Sequence, residues 1–292
     1  MSWRNLGLWA AAFAAAAALA APARAQSSSP DHVVRMASRV PGGDIHERFK
    51  DVLVSDGRDL TLDPGAGVDE TRKVLLRRAA IFENVQEYVS AEASLTQAVQ
   101  LAPASAEAEL ARGYYYMRRG RFTAALGDFL IAARIDPGNA RLRYAAGRAQ
   151  SALGDFAAAA GFYGEAIRLA PHEPAYFLAR AEARIRLDQP EGARTDYDRA
   201  LAMKPPRPTD RYFAFLGRGY AFLMQADYAG AIKDFDSAIA LDPGSLHALL
   251  WRGYAREKAG QVELALDDYE RAVALNPKDR LAWANLQRLR SN

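Results

Sequence analysis

The chain has 292 residues, half of them hydrophobic and a quarter charged, enough to bury a sizeable core. It contains no cysteine, which excludes disulfides, thiolate metal sites, a cysteine nucleophile and a lipid anchor on an N-terminal cysteine. The formal charge of +3 includes Arg4 and Arg24; without residues 1–25 it is +1, and no run of five lysines or arginines occurs, so charge makes no case for nucleic acid.

In chain order, Arg4 precedes an apolar run at residues 6–21, Pro22 breaks it, and Ala23-Arg24-Ala25 offers a small-residue cleavage site. The run is 16 residues, mostly alanine, short of the roughly 18 to 20 strongly apolar residues that a spanning helix needs. A cleavable secretory signal over 1–25 is therefore predicted, with a soluble mature chain in the periplasm or secreted, and no membrane span within it. Residues 26–71 hold nine acids and five basic residues. They open on Gln26-Ser27-Ser28-Ser29-Pro30 and close on Asp63-Pro64-Gly65-Ala66-Gly67, which predicts an acidic, partly disordered segment around one short helix at 45–54. Asp56, Asp59 and Asp63 lack the Asp-x-Asp-x-Asp-Gly order of a calcium loop and read as solvated acids.

From residue 72 the sequence repeats. Proline recurs at 103, 137, 171, 205, 243 and 277, spaced 34 residues apart except for one interval of 38, each following an apolar helical stretch that it ends. The predicted repeats run over 72–105, 106–139, 140–173, 174–211, 212–245 and 246–279. Their eighth residues are small: Ala79, Gly113, Gly147, Ala181, Gly219 and Gly253. Alanine fills the twentieth position in all six, from Ala91 to Ala265, and the twenty-seventh, from Ala98 to Ala272. Two helices of a hairpin approach closely only where a side chain shrinks to a hydrogen or methyl. The twenty-fourth position supplies the large residues for that gap: Leu95, Phe129, Tyr163, Tyr197, Phe235 and Tyr269. The extra four residues, around Pro205-Pro206-Arg207-Pro208, read as a loop insertion, with a hinge or partner-specific loop as the alternative.

Small residues at 8, 20 and 27, an aromatic at 24 and proline at 32 resemble the tetratricopeptide repeat, in six units of one register over residues 72–277. The resemblance implies an all-α solenoid of six helix hairpins, a right-handed superhelix whose first helices line a concave groove. Residues 280–292, with Trp283 and Leu286, would form a capping helix. Helices this short are marginal alone, so stacking of one repeat on the next must supply most of the stability.

Four repeats pair arginine at position 7 with aspartate at position 23: Arg112 with Asp128, Arg180 with Asp196, Arg218 with Asp234, and Arg252 with Asp268. Repeat three has lost both together, to Ala146 and Phe162, as contacting residues would; repeat one keeps Arg78 opposite Ser94. We read the pairs as structural, the alternative being an arginine ladder for an acidic ligand.

The resemblance places positions 2, 5, 9, 12 and 13 of each first helix in the groove. Position 5 supplies Leu110, Tyr144, Leu178, Leu216 and Leu250, and position 9 supplies Tyr114, Arg148, Tyr220 and Tyr254. Phe213, Met117, Arg118, Arg141 and Arg186 complete the candidate surface. Tyrosine and arginine are enriched at binding hot spots, which points to another protein as partner, through a peptide or helix with apolar anchors and some acidic character. Leucine at position 5 could equally pack on the next repeat. A two-carboxylate clamp needs Lys or Arg at position 5 with Asn at position 9, and no repeat has both. His32, His46, His172 and His247 are scattered, and no nucleophile, phosphate-binding or dinucleotide motif occurs, so no catalytic residue, metal or cofactor is expected. Three functions fit: an adaptor scaffold in the cell envelope, a structural subunit of an envelope or secretion assembly, and a receptor for a polysaccharide or wall fragment.

Overall fold

The computed structural model describes residues 65–205 and 207–291. The expected signal at 1–25, the helix at 45–54 and the acids Asp56, Asp59 and Asp63 lie outside the described residues, as does Pro206. The described residues are helical hairpins with no strand among them, in two compact units that divide between Leu153 and Gly154.

The unit ending at Leu153 contains α1 (Val68–Asn84), α2 (Tyr88–Leu101), α3 (Ala106–Arg118), α4 (Phe122–Ile135) and α5 (Ala140–Leu153). The unit from Gly154 contains α6 (Phe156–Leu169), α7 (Pro174–Arg186), α8 (Pro190–Ala202) and α9 (Pro208–Met224). It continues with α10 (Tyr228–Leu241), α11 (Leu246–Lys258), α12 (Val262–Leu275) and α13 (Arg280–Arg290). The all-α hairpin fold expected from the 34-residue period is therefore the fold observed.

The punctuation acts as the sequence indicates. Pro103, Pro137, Pro171, Pro243 and Pro277 each stand two residues beyond a helix end, where a missing N–H breaks no helical bond. Side-chain caps start several following helices: Ser105 accepts from the Ala108 N–H, Ser245 from Ala248, and Asp279 from Leu281 and Ala282. The turn inside a hairpin needs one left-handed residue. Gly120, Gly154 and Gly260 supply it at φ 71°, 85° and 78°, but Gln86, Asp188 and Ala226 occupy the same place at 64°, 57° and 56°.

The small eighth positions are holes for aromatic rings. A Cβ built on Gly113 would lie 2.5 Å from Phe129, on Gly219 2.7 Å from Phe235, and on Gly253 2.8 Å from Tyr269. Those three rings are fully buried, and the alanines at positions 20 and 27 are buried with them. A second kind of hole joins successive hairpins: Gly217 of α9 receives the Tyr197 phenol of α8.

Two helices run longer than the sequence period predicts. Both α1 and α9 have 17 residues where α3 and α11 have 13. For α9 the difference is the insertion itself. Residues 208–211 form an added first turn instead of a loop, with Pro208 at the opening position, where proline is tolerated, and Arg207 bonded to Asp210 at 2.8 Å. For α1 the added turn carries helix back to Val68, ahead of the expected start at 72.

Candidate functional site

Positions 2, 9, 12 and 13 of a first helix lie on one face, because residues three, four and seven apart share a side of an α-helix. Position 5 behaves differently. Leu216 and Leu250 are 4% and 3% exposed and belong to the core cluster of the C-terminal hairpins. Leu178 packs against Ala181, Tyr197 and Ala214, and Leu110 against Ala132, Ala133 and Leu142. Leu216 and Leu250 are therefore core residues, which corrects their placement in the groove; Leu110, Leu178 and Tyr144 are half-buried at the same position.

In the unit from Gly154, the remaining face is aromatic. Trp251 of α11 stands at the centre, with Tyr220 of α9 edge-on at 5.2 Å and Tyr254 edge-on at 6.4 Å. All three are half-buried, resting on the core cluster with one side left to solvent. Lys258 places its ammonium 5.5 Å from the Tyr254 ring, and Phe213 packs edge-on against Tyr212 at 5.1 Å. Burial pushes the Tyr220 and Tyr254 phenols above the usual tyrosine range, so both remain neutral donors at physiological pH. Arg186 lies over the Phe156 ring at 4.3 Å, its guanidinium stacked at the start of α6. Sequence reasoning missed Trp251; its spacing of three residues before Tyr254 was the available signal.

In the unit ending at Leu153, Tyr114 meets Phe129 edge-on at 5.2 Å, and Met117 is half-buried beside it on α3. Arg118 makes two hydrogen bonds of 2.6 Å to Glu83 of α1, so its charge is already matched. Arg141, exposed, and Arg148, half-buried, flank Tyr144 on α5. A shallow depression on α2, bordered by Val89, Glu92, Ala93 and Gln97, lies away from these residues and gathers no reactive groups. Among the described residues no cluster of three histidines, cysteines or carboxylates is arranged to hold a metal ion.

The arginine and aspartate pairs are two-pronged within each hairpin. Arg112 reaches Asp128 at 2.8 and 2.8 Å, Arg180 reaches Asp196 at 2.9 and 2.7 Å, Arg218 reaches Asp234 at 2.7 and 2.7 Å, and Arg252 reaches Asp268 at 3.0 and 2.5 Å. The four aspartates are 5%, 1%, 2% and 0% exposed. The two hydrogen bonds that Arg218 donates to Asp234 raise its guanidinium above the ordinary range, outweighing the effect of burial. In repeat one the Ser94 hydroxyl instead donates to its own helix, at the Ser90 carbonyl.

Two sets of partners escaped the sequence reading. Arg184 and Arg256, at position 11, add a second guanidinium to Asp196 and Asp268 at 2.7 and 2.8 Å. Acids at position 25 link neighbouring hairpins: Asp198 accepts from Arg218 at 2.7 Å, Asp236 from Arg252 at 2.5 Å, and Glu270 from Arg290 of α13 at 2.7 Å. Arg288 completes the cap by gripping Glu257 at 2.8 and 2.6 Å.

A profile described as Tetratricopeptide repeat matches residues 76–140, 144–208 and 216–280, more than half of the chain. No curated protein matches it. Among solved structures, a chain of the APC/C hetero-tetramer Cut9–Hcn1 superposes with a TM-score of 0.62 at 16% identity, over 89% of this chain and 48% of that one, so this chain spans about half of that relative. YrrB, described as a TPR protein with an unusual peptide-binding site, gives 0.57 at 19% identity, over 66% and 97%. PilW, described as a widely conserved type IV pilus biogenesis factor, gives 0.62 at 19% identity, over 75% and 98%. At such identities the likeness is one of fold.

Proposed function

The chain belongs to the tetratricopeptide repeat family, and from that membership we propose that it is a non-enzymatic scaffold of the cell envelope that holds a segment of another protein against its first helices. Proteins of this family serve as protein-interaction scaffolds. The observation that carries the reading is the half-buried row of Tyr220, Trp251 and Tyr254 beside Lys258. Each ring is half-buried and packs on the core cluster, so a partner meets a large, rigid contact area with little side-chain entropy left to lose. The neutral phenols add hydrogen-bond donors at the rim. An envelope location rests on the leader-like residues 1–25, with mature chain from Gln26; among the described residues no helix is long and apolar enough to cross a membrane.

A photo-crosslinking residue placed singly at Phe213 or Tyr254 tests the reading in cells. Adducts to a partner protein are expected from both, and none from the same residue at Leu264, which is 50% exposed on α12 away from this row. Adducts from Leu264 alone would overturn the assignment of the face. N-terminal sequencing of the mature protein checks the export claim, with Gln26 as the expected first residue.

A further inference from the structure

Positions 3, 6 and 10 of a first helix meet the second helix of the hairpin before it. At position 3, Ala108 of α3 clusters with Ala98 of α2, and Leu142 of α5 with Ala132 and Ala133 of α4. At position 6, Gly217 of α9 receives the Tyr197 phenol of α8. At position 10, the Tyr115 hydroxyl of α3 donates to the Tyr88 carbonyl of α2 at 2.8 Å. Position 10 is accordingly buried in every later hairpin, as Tyr115, Ala149, Ala183, Ala221 and Ala255. In α1 the same positions read Val74, Arg77 and Ile81, and no helix precedes α1 among the described residues. Ile81 is only half-buried, and Arg77 is exposed with no acidic partner among the described residues.

The sequence ahead of α1 repeats the spelling of the later junctions. Leu62-Asp63-Pro64-Gly65 matches Leu241-Asp242-Pro243-Gly244, and Ile135-Asp136-Pro137-Gly138 differs in its first residue alone. At both later junctions the residue before Asp-Pro-Gly ends a second helix, α10 or α4, and the first helix that follows packs on it. Upstream of Pro64, Ile45, Phe49, Val52 and Leu53 recur at helical spacing. Over residues 51–63 four aspartates stand against a single basic residue, Arg58, which suits a face that presents Arg77. We propose that residues 45–63 of this chain are its own N-terminal cap, their apolar side chains covering Ile81 and the open edge of α1 while an aspartate meets Arg77. The chain's own segment is favoured over a second copy because it joins α1 at Gly65. So short a tether holds it at an effective concentration on the order of mM, which a separate molecule does not reach. A linear array of marginal helices needs both ends closed, and α13 stands at the other. This edge lies in the unit ending at Leu153 and the aromatic row in the other unit, so the cap and the scaffold reading can fail separately.

The lack of cysteine supplies the test. Single cysteines are placed at Ile81 or, for reference, at Ala80, an exposed neighbour on α1, in the chain beginning at Gln26, and their maleimide labelling rates are measured. A thiol covered about nine-tenths of the time labels about tenfold more slowly than an open one. The double change Phe49→Asp with Leu53→Asp should therefore speed labelling of Ile81→Cys about tenfold and leave Ala80→Cys unchanged, with far-ultraviolet circular dichroism also unchanged. Arg77→Glu should release the segment in the same way, and adding Asp56→Lys and Asp59→Lys should restore the slow rate. An unchanged rate at residue 81 after the double change or after Arg77→Glu overturns the cap. So does a rate at residue 81 that rises when the unsubstituted segment is diluted about a hundredfold, because the cover is then a second copy.

Discussion

Asp268 gives the sharpest test of how the hairpins are held. It is fully buried, accepts two hydrogen bonds from Arg252 and one from Arg256, and the Arg252 side chain is only 9% exposed. Replacing Asp268 by alanine strands two guanidiniums at a dry interface. Removing one member of a buried pair typically costs about 3–5 kcal/mol. Arg252 retains Asp236, a carboxylate 50% exposed, so the loss belongs near the lower end, about 3 kcal/mol. For a domain of this size that lowers the thermal midpoint by about 6–12 °C. The double variant Arg252→Met with Asp268→Ala removes one of the two stranded charges, leaving Arg256, and should be less destabilised than Asp268→Ala alone, by about 1 kcal/mol. Urea unfolding followed by far-ultraviolet circular dichroism reads both midpoints, with an unchanged slope confirming that stability alone has moved. Strictly additive losses, or a loss below about 1 kcal/mol for Asp268→Ala, would refute the claim that this aspartate is bound to its arginines rather than merely near them.

Three further outcomes follow from the geometry. Gly113→Ala, whose new methyl would fall 2.5 Å from the Phe129 ring, should lose about 1–3 kcal/mol in urea unfolding, and Phe129→Leu should restore part of it by opening the hole. Ala226→Gly should raise the unfolding free energy by about 0.5–1 kcal/mol in urea unfolding, since Ala226 sits at φ 56° and glycine has no Cβ penalty there; Gly120→Ala, at φ 71° in open space, should do the reverse. Glu257 is pushed up by burial but brought below its ordinary range overall by the hydrogen bonds and charge of Arg288. A depressed carboxylate contributes stability above its unfolded value and loses it as pH falls through its folded value. The advantage of the wild-type chain over Glu257→Gln should therefore be complete near neutrality and shrink as pH falls through and below the ordinary carboxylate range, in melts taken from neutrality into acid.

Much of the fold was legible because it is written in residues with one meaning each. A proline two positions past a helix end, and a glycine opposite a ring, constrain the backbone whatever surrounds them, and they recur with the period. The structural arginine pairs were legible because repeat three lost both partners at once. What stayed hidden depends on register between hairpins. Asp198 and Asp236 look like ordinary surface acids until the next hairpin brings Arg218 and Arg252 to them at 2.7 and 2.5 Å. The family resemblance puts Leu216 and Leu250 on the recognition face, but neighbouring helices sit close enough to bury them. The run of prolines before α9 reads locally as a loop, yet proline at the first turn is compatible with helix, and the added residues lengthen α9.

Arginine couples each hairpin both within itself and to its neighbour. In the unit from Gly154, Arg218 and Arg252 each hold an acid of their own hairpin and an acid of the preceding one, so a single side chain serves both intra-hairpin and inter-hairpin packing. With Tyr197 seated on Gly217, these contacts supply the neighbour coupling that a linear array of marginal helices needs. All of them fall at positions 6, 7, 23, 24 and 25. An exposed residue such as Arg141, at position 2 of α5, has no such bond, so a substitution there changes surface chemistry at small thermodynamic cost, usually within about 0.5 kcal/mol. Charge reversal at the exposed Arg141 and removal of Asp268 are thus opposite kinds of change: the first should leave the melting curve in place, and the second should move it.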